Sequence, residues 1–155
     1  MRTTLAMTFA SAVLLLGCSE TEVDTPDVCL ESPASITAAL RNAPEPVALD
    51  GGTVISDCLV RNQSEGDLVN FGTNITEVAT GLGGDVSRPG PAGVKAAIDA
   101  GYLVGAIEKG AEDSDGIHAT LVERVKSAAT NGLSRASELK RAHYQAGYEA
   151  GSKSG

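Results

Sequence analysis

The sequence predicts an all-α fold, a compact bundle of five or six helices stapled by one disulfide. Three observations lead there. Apolar residues recur at helical spacing, caps, prolines and glycines divide the chain into helix-length segments, and no pair of alternating apolar runs supplies two partner strands. Of the 155 residues, the 138 from Cys18 onward suit one domain with a real core.

Ser32-Pro33 offers an N-cap followed by proline at the first helical position, and the segment Pro33–Asn42 stops before Pro44. Asp50-Gly51-Gly52 opens a second segment over 53–61, in which Val54, Ile55, Cys58 and Leu59 follow a helical rather than an alternating spacing. Val54 and Ile55 favour strands by propensity, but no partner strand is evident, so helix is expected. Ser64 caps the clearest helix, with Glu65 and Asp67 in its first turn and an apolar stripe of Leu68, Phe71, Ile75, Val78, Ala79 and Leu82. Gly83-Gly84 is expected to end it, and residues 85–93 to form a connecting loop.

A fourth helix is predicted from Ala92 to Gly110, with so little polar surface between Tyr102 and Ile107 that it belongs at the centre. Gly101 and Gly105 lie four apart on one face of it, and two helix-weakening glycines together ask for close backbone approach by a partner helix. The expected partner is the Leu68–Leu82 helix of the same chain. A fifth helix carries Ile117, Leu121, Val125 and Ala128 on one side and breaks at Asn131-Gly132. The sixth, Leu133 to Ala150, has high helix propensity but only Leu139, Ala142 and Ala146 as an apolar face, so loose packing is expected. Residues 151–155, GSKSG, read as a disordered tail.

The N-terminus reads as a targeting segment. Met1-Arg2 is followed by an apolar stretch from Leu5 to Leu16, which is short for a membrane span of about 20 residues, and then by Gly17 and Cys18. Leu15-Leu16-Gly17-Cys18, with the signal before it, resembles the lipobox of bacterial lipoprotein precursors. That resemblance implies removal of residues 1–17, acylation of Cys18 as the new N-terminus, and an exported lipoprotein held at the cell envelope. Residues 18–28, acidic and without apolar periodicity, would be a solvated tether, and 29–150 the helical domain.

With Cys18 converted to a thioether, Cys29 and Cys58 remain, and an oxidising compartment favours their pairing; two buried free thiols are the alternative. The net charge of −8 becomes one unit more negative when Arg2 is lost. Such a balance gives no basis for nucleic-acid binding, and it leaves membrane attachment to the acyl chains rather than to a basic patch. Cleavage also leaves no Met and a single Phe, Phe71, in a chain without Trp, so broad stacking platforms for sugars or bases are missing.

Candidate chemistry is sparse. Asp113, Asp115 and His118 form the densest polar group, a weak candidate for binding a small ligand or ion. A calcium-loop reading fails on spacing, because Ala111 and Val122 would occupy the first and twelfth positions. Helix capping is the simpler role. His118 and His143 stand alone and no zinc or haem spacing occurs, so neither metal nor cofactor is expected. Gly132-Leu133-Ser134-Arg135-Ala136 and Ser137-Glu138-Leu139-Lys140 match nucleophile motifs in letters only, since both lie in helical sequence without the required context. The expectation is therefore a noncatalytic, membrane-tethered domain that binds an envelope or extracellular protein, with a small-ligand or ion-binding lipoprotein as the alternative.

Overall fold

A computed structural model describes residues 24–112, Ser114 and 116–155. Among them are five α-helices: α1 (Pro33–Leu40), α2 (Glu65–Asp85), α3 (Gly90–Ala111), α4 (Ala119–Thr130) and α5 (Glu138–Ser154). The described residues contain no strand ladder, only an isolated antiparallel bridge between Ala48 and Val54. Cys29 and Cys58 are disulfide-bonded, with Cα atoms 5.5 Å apart and both residues fully buried. The bond ties a short 3-10 turn, Asp27–Leu30, to the loop that precedes α2.

Helix α2 starts as its sequence dictates. The Ser64 hydroxyl accepts the Asp67 amide at 3.1 Å, Glu65 and Asp67 occupy the positive end, and Phe71, Ile75, Val78, Ala79 and Leu82 are buried. Its C-terminus differs from the expectation: Gly83-Gly84 does not stop the helix, which continues to Asp85. Gly83 lies so close to the Ala128 carbonyl of α4 that a Cβ there would clash, so this glycine serves helix contact rather than termination.

Segment 53–61 is not an α-helix. Gly51 and Gly52 both take positive φ, which glycine adopts at no steric cost, and reverse the chain so that the Leu49 amide donates to the Thr53 carbonyl at 2.8 Å. Thr53 and Val54 are extended, and only Ile55–Cys58 coils, as a 3-10 turn that buries Ile55 and Cys58. The β-branched preference of Thr53 and Val54 prevails once the turn supplies a local partner in Ala48 and Leu49.

Helix α3 lies at the centre as predicted, with every residue from Asp99 to Ile107 buried. Gly72 of α2 adjoins Leu121 and Gly83 adjoins Ala128, so α2 and α4 run parallel. Gly101 adjoins Tyr144 and Gly105 adjoins Tyr148, so α3 and α5 run parallel too. One end of the bundle thus gathers the starts of α2 and α4 with the ends of α3 and α5. The other gathers the starts of α3 and α5 with the ends of α2 and α4. There the Lys140 ammonium donates to the Val86 and Arg88 carbonyls at 2.6 and 2.7 Å, fixing the start of α5 to the chain that leaves α2.

The partner of the Gly101–Gly105 face is internal but is α5, not the Leu68–Leu82 helix. Gly147 and Gly151 of α5 lie against the Ile98 and Tyr102 carbonyls, while Gly101 and Gly105 lie against those of Tyr144 and Tyr148. Four missing side chains bring two backbones together, in the geometry where Cα–H···O contacts form between helices. Loose packing of α5 is therefore overturned: its contact is made through glycine and tyrosine rather than Leu139, which is 59% exposed. Residues 151–154 are the last turn of α5, and the Ser56 hydroxyl and Lys109 ammonium both donate to the Gly155 carbonyl, so a disordered tail is not what the structure has.

Candidate functional site

Open depressions with apolar lining and one buried polar chain are the features with chemical potential among the described residues. One depression, about 550 Å³, lies where α3 and α5 begin. Pro91, Val94, Ile98 and Leu139 supply its apolar surface, and Lys95 and Lys140 are its only charged lining residues among those described. The parallel course of α3 and α5 makes it, since the glycine contact draws the helices together from the Ile98 carbonyl onward while Val94 and Leu139 before it border a furrow. Lys95 is ion-paired with the buried Asp99, whose carboxyl burial pushes up while Lys95 pulls it down. Lys140 instead meets two carbonyls, which accept its hydrogen bonds but leave its charge uncompensated there.

The buried polar chain runs from the N-terminal arm to the start of α4. Gln63 Nε2 donates to Thr25 Oγ1 at 2.8 Å and to the Cys58 carbonyl at 3.1 Å, and Gln63 Oε1 lies 2.8 Å from His118 Nε2. Because Gln63 Oε1 can only accept, His118 must carry its proton on Nε2. Nδ1 is then a lone pair, buried with no hydrogen-bond partner among the described residues. Thr25, Gln63 and His118 are all at least nine-tenths buried. Thr25 belongs to the stretch expected as free tether, so the arm joins the domain earlier than residue 29.

Burial holds the His118 pKa below its usual value, since the protonated ring would be a charge withdrawn from water. The unfolded chain therefore binds more protons in mild acid, and stability falls as pH drops below about 6.5, the ordinary histidine value, towards the lowered folded one. Thermal melts between pH 7.5 and 5 should show a smaller loss of Tm for His118→Gln than for the wild type. Equal slopes would mean that His118 does not titrate in this window.

The candidate ligand group is not assembled by what is described. His118 is inaccessible and already bonded, and Asp113, Asp115 and the lipidation candidate Cys18 lie outside the described residues. Among the described residues, no three His, Cys, Asp or Glu side chains are grouped to hold a metal ion. No described helix is long and apolar enough to cross a membrane. Sequence reasoning misses Gln63, the hub of the buried chain, because a lone glutamine carries no periodic or motif signal. It also misses the furrow, although Leu139, an isolated leucine on a polar helix face, is its visible trace.

Comparison with protein-family models, characterised proteins and solved structures finds no match to this chain.

Proposed function

We propose that this chain is a noncatalytic helical lipoprotein domain, exported and tethered to a membrane of the cell envelope through acylated Cys18, that binds an envelope or extracellular protein. The open apolar furrow between α3 and α5 carries the reading. Its leucine is largely exposed, its floor is aliphatic, and its charge is positive, on a chain whose net charge is −8. Those properties suit an apolar segment bearing a carboxylate, with Lys140 as the counter-charge. Attachment rests on Leu15-Leu16-Gly17-Cys18, since acyl chains would supply the membrane affinity.

Two substitutions separate the parts of this reading. Cys18→Ser should move the protein from the membrane to the soluble fraction and abolish lipid labelling. Leu139→Asp, at an exposed position, should leave Tm nearly unchanged while the protein copurified from crosslinked membranes is lost. Membrane retention of unlabelled Cys18→Ser would overturn the anchor, and undiminished copurification with Leu139→Asp would overturn the furrow.

A further inference from the structure

A smaller depression, about 220 Å³, lies at the opposite end of the bundle, between the first turns of α2 and α4. Leu68, Val69, Ile117, Leu121 and Arg124 line it. Val69 and Ile117 are 61% and 44% exposed, and with Leu139 they are the large apolar side chains most open to water among the described residues. Two such side chains meeting in one hollow form a patch, unlike a lone exposed leucine.

The N-terminal arm enters the domain beside it. Thr25 bonds to Gln63, Gln63 lies next to the Ser64 cap of α2, and the same Gln63 side chain bonds to His118, the neighbour of Ile117. The segment from Cys18 to Asp24 spans at most about 20 Å even when fully extended. An anchor at Cys18 therefore keeps this end of the bundle close to the lipid.

We propose that the Val69–Ile117 hollow is the face on which the domain rests against the phospholipid surface that anchors it. This rests on the anchoring reading above. Two apolar side chains would not hold a free domain on a bilayer, but the anchor makes docking intramolecular, at a high effective concentration. Arg124, the only charged lining residue among those described, can meet a headgroup phosphate. Asp24, Asp27, Glu65 and Asp67 around the entry point disfavour a strongly anionic surface, so a zwitterionic one fits best. Resting in this way leaves the α3–α5 furrow pointing away from the lipid: α3 is 22 residues long, and a helix of that length extends about 33 Å.

The test uses the full acylated chain in phosphatidylcholine vesicles, with a photocrosslinking amino acid at position 69, 117 or 139 and mass spectrometry of the adducts. Lipid adducts should form several-fold more at 69 and 117 than at 139. Acylated protein that gives equal or no lipid adducts at 69 and 117, or crosslinks between two copies there, would overturn the resting face alone. An unacylated Cys18 would overturn the anchoring reading, and the resting face with it.

Discussion

Gly101→Ala should cost the domain about 3 kcal/mol or more, on the order of 10 °C in Tm, although it adds a single methyl group to a helix. A Cβ at Gly101 would fall under 3.0 Å from the Tyr144 carbonyl and the Tyr148 amide, both backbone atoms that no rotamer change can move. The same holds for Gly147 and Gly151, whose absent side chains admit the Ile98 and Tyr102 carbonyls. The helices must separate, and the dispersion contacts of a whole interface weaken together. Gly81→Ala in α2 is the control. Nothing lies within 4 Å of the added atom, so helix propensity alone acts, stabilising by up to about 1 kcal/mol. Opposite signs for one chemical change, measured by thermal or urea unfolding, are the expected result. A Gly101→Ala protein that melts with the wild type would show that α5 does not pack on α3 as described.

Reduction of Cys29–Cys58 is the second large effect. The cysteines are 29 residues apart, and closing such a loop stabilises by roughly 3–4 kcal/mol in the chain-entropy account. The loss should extend beyond the bond, because the Cys58 carbonyl accepts from Gln63 and Gln63 holds both Thr25 and His118. Loosening the strap frees one acceptor of a chain whose members are buried away from bulk solvent. A Tm lowered by roughly 10 °C or more on adding reductant is expected, with an intact mass about two hydrogens below the reduced value before it. Two thiols that alkylate under native, non-reducing conditions would contradict the pairing.

The helices are most legible where one local rule acts alone. Ser64 and its acidic first turn announce α2, proline announces the start of α1, and the apolar density of 102–107 places α3 at the centre. Legibility fails where a residue's role depends on a partner distant in sequence. Gly83 reads as a helix terminator until α4 lies against it. Val54 reads as helical until the reversal at Gly51 and Gly52 gives it Ala48 as a neighbour.

Helix α5 is misread for a further reason: apolar periodicity measures side-chain burial, and its tightest contacts are made where side chains are missing. The trace is present nonetheless, since Gly147, Gly151 and Gly155 repeat at the spacing of Gly101 and Gly105. Of the candidate ligand group, only His118 lies among the described residues, and it is a core histidine whose hydrogen-bond partner, Gln63, lies 55 positions away in the chain.

Photocrosslinking in the native cell from position 139 tests the proposed protein-binding furrow most directly. The photoreactive residue replaces Leu139 at the rim, and a second variant carries it at Glu77, an exposed position of α2 away from the furrow. The expected result is a discrete polypeptide adduct from position 139, absent from position 77 and lost when Val94→Asp places a carboxylate in the apolar lining. Identical adducts from both positions, or only lipid captured at 139, would contradict a protein-binding furrow.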